Sequence, residues 1–239
     1  MPSDQLAYLE PSELGTKEYW DNFYSADLCS PPSPTASLDG WFSDVNAAPK
    51  ILEFLQTQDL GLDLKVSTFL DLGTGNGEML FRLREGGFEG PMLGVDYSLP
   101  SIELARKLAI AKNLEEIVFE HWNIVQDPQP EKWQDGFDVV LDKGTFDAIS
   151  LSNETDERGS RLCESYRERV EKLVKRNGYF LITSCNWTQA ELVKWFTDLT
   201  VGSERLEICG EVSYPTFTFG GHTGQSTSTL CFKKTFQSS

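Results

Sequence analysis

The segment FLDLGTGNGEML at residues 69–80 decides the fold. A short apolar run leads into three glycines, Gly73, Gly75 and Gly77, and a helical pattern follows them directly. Glycine adopts positive φ angles readily, and its missing side chain lets a ligand approach the backbone. A strand, a glycine turn and a helix start in this order are typical of a cofactor site in an α/β protein.

Strands and helices alternate from Val66 onward. Strands are predicted in KVSTFLDL, GPMLGVDYS, EEIVFEHWN, GFDVVLDKG and the end of VEKLVKRNGYFLITSC. Helices are predicted in GNGEMLFRLREGG, in SLPSIELARKLAIAKN with Ser98 as its cap, and in TQAELVKWFTDL with Thr188 as its cap. Five βα units in a row imply a parallel sheet that is covered by helices on both faces.

The last two predicted strands have no helix between them. LEICGEVS and STSTLCFKKTF are joined through YPTFTFGGHTGQ, which predicts a closing antiparallel hairpin. The expected fold class is therefore α/β, a doubly wound and mostly parallel sheet with an antiparallel strand near one edge. In such sheets the ligand lies beyond the carboxyl ends of the strands.

The first 60 residues follow another pattern. Helices are predicted in LGTKEYWDNFYSADL and NAAPKILEFLQTQ, and the proline-rich stretch SPPSPTAS at 30–37 separates them as a loop. A length of 239 residues suits one large domain better than two. We therefore expect a single domain over 1–239, with a helical cap and loop at 1–60 and a catalytic core at 61–239.

Charge and composition restrict the partners. Lys and Arg total 21 against 37 Asp and Glu, a net charge of −16. Such a surface repels nucleic acids and anionic lipids; it suits a basic partner or a cationic small molecule, or serves only solubility. The sequence has no apolar run of membrane-spanning length, no signal-peptide pattern and no CxxC pair. Its five scattered cysteines argue against a disulfide framework or zinc site and indicate a reducing, cytoplasmic location.

Acidic residues around the glycines bear on the choice of cofactor. Dinucleotide sites use G-x-G-x-x-G, whereas this spacing is G-x-G-x-G and Glu78 stands at the third dinucleotide glycine. Asp96 in GVDYS ends the second strand, where a carboxylate can bind ribose hydroxyls. Asp71 before the glycines suits a cation such as the sulfonium of S-adenosylmethionine. A nicotinamide-dependent oxidoreductase and a glycine turn without ligand stay open as alternatives.

Several further motifs carry a family resemblance. The chain resembles the seven-strand, Rossmann-like S-adenosylmethionine-dependent methyltransferases, and among them the lysine methyltransferases of translation elongation factor 1-alpha. The glycine motif alone indicates a methyltransferase, and DKGTFDAISL with ITSCNWT is more specific. The matching segments are LGTKEYWDNFY, LDLGTGNGEML, GVDYS, LDKGTFDAISL, GYFLITSCNWTQAEL and FTFGGHTGQS. SPPSPTAS does not match the family pattern, and Asn123 stands where related enzymes commonly have Asp.

The resemblance and the strand ends together predict a site. S-adenosyl-L-methionine is expected to contact Trp20, Tyr24, Asp71, Gly73, Thr74, Gly75, Asn76, Gly77, Asp96, Tyr97, Asn123, Ile124 and Asp142. The residues expected on the substrate side are Asp142, Asn186 and Trp187. Asp142 would orient the incoming amine, or else cap the turn into Thr145–Leu151. Trp187 would wall the lysine channel or pack in the core, and Phe217–Gly221 would form a substrate rim or a hairpin turn. No metal is expected.

The function that follows is methylation of a protein lysine, with elongation factor 1-alpha as the expected target and a monomeric enzyme as the expected form. A lysine amine must first lose its proton, since its ordinary pKa is about 10.4. The alternatives are a small-molecule methyltransferase and a catalytically silent methyltransferase-like binding module. Neither a nucleic acid nor a membrane is expected as a partner.

Overall fold

The computed structural model describes residues 8–29, 41–197, 204–215, 217–219 and 222–236, so the proline-rich 30–37 stretch lies outside the described residues. The strands are β1 (Phe69–Leu72), β2 (Met92–Asp96), β3 (Val118–His121), β4 (Phe137–Lys143), β5 (Val174–Ser184), β6 (Glu204–Val212), β7 (Phe217–Phe219), β8 (His222–Gly224) and β9 (Ser228–Phe236). The helices are α1 (Lys17–Leu28), α2 (Ala47–Thr57), α3 (Glu78–Glu85), α4 (Leu99–Lys112), α5 (Thr145–Ser150), α6 (Leu162–Leu173) and α7 (Gln189–Thr197). Short 3-10 helices lie at Glu13–Gly15, Ser43–Val45 and Glu131–Trp133.

Seven strands form the main sheet in the order β3-β2-β1-β4-β5-β9-β6. The first five of these are parallel to one another, and β9 inserts antiparallel between β5 and β6. This arrangement confirms the predicted fold class, including the antiparallel strand next to one edge. The strands β7 and β8 form a separate antiparallel pair. Phe217–Gly221 therefore begins in a hairpin strand, and the turn itself lies outside the described residues.

Helices cover both faces of the sheet because neighbouring strand residues point to opposite sides. On β1, Phe69 packs into an apolar cluster that includes residues of α2, α3 and α4. Leu70 and Leu72 pack into a second cluster that includes residues of α5, α6 and α7. All four residues of β1 are buried, as expected for a central parallel strand.

Helix α1 lies outside this core and packs along α4. The Thr16 hydroxyl accepts the Tyr19 amide at 3.3 Å and caps the helix start. The Trp20 indole donates to the Leu14 carbonyl at 2.8 Å, which folds the preceding segment back against α1. The predicted N-terminal helix is confirmed, and so are the caps at Ser98 and Thr188.

The sequence reading missed two features between β4 and β5. It predicted no helix over Thr145–Leu151, whereas Thr145–Ser150 forms α5. It assigned only the end of VEKLVKRNGYFLITSC to the fifth strand, whereas β5 begins directly after α6 at Val174. Near this junction Asn177 has a left-handed backbone with φ 61. The register between β4 and β5 shifts between Phe137 and Val139. No helix in the described part of the chain is both long and apolar enough to cross a bilayer.

The sheet core predicts a stability difference. Phe180 on β5 is fully buried between Phe196 and Phe232. Phe180→Ala should lower the free energy of unfolding by about 3–5 kcal/mol through lost burial and a cavity. Ile208→Ala on β6 is the control, since its side chain is half exposed, and should cost about 0.5 kcal/mol. Urea titration of both variants measures this; equal losses would contradict the packing described here.

Candidate functional site

A cavity of about 250 Å³ lies at the carboxyl ends of β1 to β4, between the sheet edge and α1. The glycine loop, the end of β2 and the segment after β3 form its floor. Aromatic side chains of α1 and Trp41 form the opposite wall. The cavity therefore occupies the position where ligands bind in doubly wound sheets.

The glycine loop is held by its neighbours on both sides. Gly73 has φ 62, and a Cβ there would lie 2.0 Å from the Thr145 hydroxyl oxygen, so only glycine fits. That hydroxyl donates to the Leu72 carbonyl at 2.6 Å. On the other side, the Thr74 amide donates to the Val95 carbonyl at 2.9 Å. The loop conformation is thus fixed by contacts with β2 and α5.

Asp96 connects the loop to the end of β2. Its Oδ2 accepts the Gly75 amide at 3.0 Å, and its Oδ1 accepts the Ser98 amide at 2.9 Å. The Ser101 hydroxyl donates to the Gly75 carbonyl at 2.8 Å. Burial raises the pKa of Asp96, and the two amide donors oppose that shift. The carboxylate lines the cavity, and its remaining lone pairs can accept hydrogen bonds from a ligand.

Asp71 lies beneath the loop and not in the cavity wall. It is 3% exposed, and its Oδ2 accepts the Thr74 hydroxyl at 2.7 Å. Burial raises its pKa to about 7, although Thr74 and the cation of Lys143 lower it. The predicted cofactor contact of Asp71 stays a prediction; in the structure, Asp71 supports the loop from below through Thr74. Gly77 is likewise outside the cavity wall and forms the N-cap of α3.

Glu78 in the first turn of α3 is buried and paired. Its Oε1 accepts Arg82 Nε at 2.9 Å, and its Oε2 lies 3.6 Å from Lys143 Nζ. A carboxylate is favourable at a helix N-terminus because it complements the helix dipole. The same charge occupies the place where a dinucleotide pyrophosphate would need a positive environment. The observed pairing therefore weighs against the nicotinamide alternative.

The segment after β3 forms the end of the cavity that was predicted for adenine. Asn123 and Ile124 both line it. The Asn123 side-chain oxygen accepts the Val125 amide at 3.0 Å, and its amide nitrogen donates to Gln126 Oε1 at 3.1 Å. Trp122 is buried and stacks edge-on against Trp133. The whole segment 122–126 lines the cavity, so it contributes both amide and apolar residues.

Three aromatic residues of α1 cover the cavity from above. Trp20, Phe23 and Tyr24 all line it, and the rings of Trp20 and Tyr24 stack with centroids 6.1 Å apart. A Cβ at Gly75 would lie 2.7 Å from the Tyr24 hydroxyl, so this ring reaches the glycine loop. The spacing of Trp20 and Tyr24, one helical turn apart, aims both side chains at the loop.

Trp41 is a site residue that the sequence reading missed. It lines the cavity beside Gly144, and its carbonyl accepts Lys143 Nζ at 2.9 Å. The next residue, Phe42, is buried and adopts a left-handed backbone with φ 72. This conformation costs a bulky residue about 1–3 kcal/mol and persists only where the surroundings enforce it. The burial of Phe42 and the bond from Lys143 are the contacts that hold the turn.

Asp142 is not among the residues that line the cavity, and its predicted contacts with substrate and cofactor stay predictions. It is 1% exposed, and Tyr166 Oη donates to its Oδ2 at 2.5 Å. The Thr145 amide donates to Oδ1 at 2.8 Å and the Phe146 amide to Oδ2 at 3.0 Å. Burial raises the pKa of Asp142 to about 7, against the lowering effect of Tyr166. The carboxylate thus fixes the start of α5, as the capping alternative proposed.

Asn186 and Trp187 also lie outside the cavity wall. The amides of both residues donate to the Ser184 hydroxyl, at 3.1 and 2.9 Å, so the chain turns sharply after β5. Trp187 is 4% exposed and packs against Phe146, which agrees with the core alternative and not with a channel wall. Asn186 is exposed beside this turn.

The structure therefore brings together most of the predicted cofactor contacts. The predicted residues that line the cavity are Trp20, Tyr24, Gly73, Thr74, Gly75, Asn76, Asp96, Tyr97, Asn123 and Ile124. Lining residues that were not predicted include Lys17, Phe23, Asp27, Trp41, Lys143, Thr145, Ile149 and Glu154. Among the described residues, no cluster of three or more His, Cys, Asp or Glu side chains is arranged to hold a metal ion.

Comparison with known proteins places this site in a family. A family model described as a methyltransferase domain matches residues 64–221. Protein-lysine N-methyltransferase EFM4 of Saccharomyces cerevisiae is 39% identical over 234 residues, which cover 95% of this chain and 97% of the yeast protein. EEF1A lysine methyltransferase 2 of Homo sapiens is 36% identical over 227 residues, covering 94% of this chain and 88% of the human protein. The chain belongs to this family of protein-lysine methyltransferases.

Solved structures support the fold of this lysine methyltransferase family member. A SAM-dependent methyltransferase from Aquifex aeolicus aligns with a TM-score of 0.58 at 14% identity, over 89% of this chain and 97% of that chain. A TehB-like SAM-dependent methyltransferase from Corynebacterium glutamicum aligns with a TM-score of 0.55 at 14% identity, over 92% of this chain and all of that chain. At such low identity, these likenesses bear on the fold alone.

The buried carboxyl of Asp142 predicts a pH dependence of stability. Its folded pKa is about 7, above the ordinary value of 3.8, so between these values the folded state binds a proton that the unfolded state has released. Stability should therefore fall as pH rises through this window, by at most about 1.4 kcal/mol per pH unit. The asparagine in Asp142→Asn cannot ionise, so this part of the pH dependence of stability should disappear in the variant. Denaturant titrations from about pH 5 to about pH 8 would measure it.

Asp138→Asn provides the matched control on the same strand. Burial alone would raise the pKa of Asp138, but the Thr68 amide and the Lys175 ammonium lower it overall. The ionised Asp138 carboxylate contributes its full stabilisation above the ordinary pKa. The free energy of unfolding of Asp138→Asn should therefore differ from that of wild type by a constant amount over the same pH range. If the unfolding free energy of Asp142→Asn also differed from that of wild type by a constant amount, the raised pKa of Asp142 would be contradicted.

Proposed function

We propose that this chain is an S-adenosylmethionine-dependent protein-lysine N-methyltransferase that modifies a lysine of elongation factor 1-alpha. One observation carries the proposal. Four relatives named as EFM4 or EEF1A lysine methyltransferase 2 are 35–39% identical to this chain over 94–95% of its length. Identity at this level over nearly the full length supports a shared reaction and target.

The cavity residues fit S-adenosylmethionine. The Asp96 carboxylate already accepts two amides and keeps lone pairs for ribose hydroxyls, while Asn123 and Ile124 offer one polar and one apolar contact for adenine. At Gly75 the Tyr24 hydroxyl stands where a side chain would be, so the loop presents bare backbone to the aromatic wall at this point. When bound, this cofactor supplies a methyl group on a positively charged sulfur.

The chain must then present a neutral lysine amine in line with that methyl group. A cation in a closed cavity lowers the pKa of a neighbouring ammonium, and so does the removal of water. Lys143 is a fixed cation in the cavity wall, and Ile149 and Ala148 provide apolar surface beside it. Alignment of the two reactants lowers the activation barrier further, by about 7–11 kcal/mol in favourable cases.

We assign Asp142 to this reaction as a positioning residue. Its carboxylate binds the amides of Thr145 and Phe146, so it fixes the turn that carries Lys143 and Gly144 into the cavity wall. Trp187 supports the same turn from the core through its packing on Phe146. Asn186, which lies at the end of β5, remains a candidate for contact with the protein substrate.

The partner and setting belong to the same proposal. A net charge of −16 complements a basic protein and raises the rate of encounter with it. We propose a monomeric enzyme of the cytoplasm, where the free thiols of its cysteines are kept reduced. The unit 61–239 would carry catalysis, and 1–60 would close over the cofactor. Light scattering on the purified chain tests the monomer.

Cofactor binding gives the first test. Asp96→Ala should weaken the binding of S-adenosylhomocysteine by about 10- to 150-fold, since it removes charged hydrogen bonds to the ribose. Calorimetry measures the dissociation constant, and the unfolding temperature checks that the variant is folded. Glu103→Ala on the exposed face of α4 is the control and should bind as wild type does. A change below twofold for Asp96→Ala would remove Asp96 from the cofactor site.

Methyl transfer gives the second test. Wild type with labelled S-adenosylmethionine and purified elongation factor 1-alpha should label one lysine, which mass spectrometry locates. Glu103→Ala should label it equally, and Asp96→Ala should label it at least about tenfold more slowly at low cofactor concentration. A parallel reaction with a cytosolic extract searches for other acceptors.

The other outcomes each select an alternative. Label confined to small molecules would indicate a small-molecule methyltransferase. Tight cofactor binding without transfer to any acceptor would indicate a silent binding module. Binding of a nicotinamide dinucleotide in place of S-adenosylhomocysteine would restore the oxidoreductase alternative.

A further inference from the structure

The cavity has one end that the cofactor contacts do not use. The residues assigned to adenine follow β3, those assigned to ribose end β2, and the glycine loop follows β1. These strands are neighbours in the order β3-β2-β1-β4. The end of β4, with Lys143 and Gly144, therefore comes next along the sheet edge and is left for the methyl acceptor.

Trp41 covers this end of the cavity. A Cβ at Gly144 would lie 2.9 Å from Trp41 Cδ1, so the indole rests on the bare backbone of that glycine. The Trp41 side chain also interacts with the Cys185 thiol, directly after β5. Trp41 thus spans the ends of β4 and β5, in the position where the sequence had predicted Trp187.

Trp41 and Trp20 together form an aromatic corner. Their ring centroids are 5.4 Å apart and their planes meet at 71°. Trp41 is 37% exposed although it lines the cavity, so the corner lies at the mouth. A lysine side chain has an apolar four-carbon stem and a cationic tip, and aromatic faces bind both parts.

The corner is held in place from behind. Lys143 Nζ donates to the Trp41 carbonyl, and the buried ring of Phe42 anchors the strained turn that follows. These contacts hold the backbone that carries the indole, so part of the binding surface is formed by the fold itself. A formed surface loses less conformational freedom on binding, which strengthens binding.

We propose that the corner formed by Trp41 and Trp20 receives the side chain of the target lysine, with Trp41 as the residue that contacts the substrate and not the cofactor. This inference rests on the proposed function. Under this inference, the acceptor side of the site is formed by Trp41, which precedes the catalytic core in the sequence. The indole can lie there because Gly144 has no side chain to hold it away.

The test separates substrate from cofactor binding. Trp41→Ala should raise the KM for elongation factor 1-alpha by about tenfold or more, since it removes one aromatic wall. The dissociation constant of S-adenosylhomocysteine should stay within about twofold of wild type, as measured by calorimetry. Trp41→Phe should restore most of the lost kcat/KM. Tyr8→Ala, an aromatic of similar exposure that does not line the cavity, is the control and should leave both constants unchanged.

Each contrary result has a distinct meaning. An unchanged KM in Trp41→Ala, with active wild type, would overturn this inference and leave the proposed function intact. An equal loss of cofactor affinity and activity would make Trp41 a cofactor contact and would also overturn it. A wild-type enzyme that transfers methyl groups to no protein would overturn both proposals.

Discussion

The hydrogen bond from the Gly75 amide to Asp96 is the contact on which the site depends. It joins the glycine loop after β1 to the end of β2, and Ser101 completes the link by binding the Gly75 carbonyl. On the other side of β1, the Thr145 hydroxyl binds the Leu72 carbonyl. Because Leu72 is in register with both Val95 and Asp142, three strand ends lie at one level. The loop is therefore held by contacts within the protein itself.

This arrangement gathers buried acids at one edge of the sheet. Asp71, Asp96 and Asp142 lie at or one residue before the ends of three adjacent strands, and burial raises the pKa of each. Each is stabilised by local donors, and Lys143 supplies a cation near Asp71 and Glu78. Desolvated acids cost stability, so a fold that retains three of them favours the site over maximal stability.

The sequence predicted the frame well because its signals are local. Alternating apolar runs, glycine stops and two capping residues located the strands and most helices, and the strand ends then located the cavity. It could not predict which side chains enter the cavity. Asp142 and Lys143 are neighbours on β4 and must point to opposite sides, but the choice depends on Tyr166, which binds Asp142 from a distant helix. Nothing in the local pattern near residue 142 contains that information.

The different placement of Trp187 and Trp41 from the one predicted also depends on contacts that the local sequence pattern does not contain. Trp187 follows β5 at the predicted site edge, yet Ser184 turns the chain there and the indole enters the core. Trp41 lies at the cavity wall that had been predicted for Trp187. Its indole can approach there because Gly144 has no side chain. In the site proposed here, most cofactor contacts come from the strand ends, whereas Trp41 supplies the acceptor wall. Under this division, the residues that select the lysine can change without disturbing the bonds that hold the glycine loop.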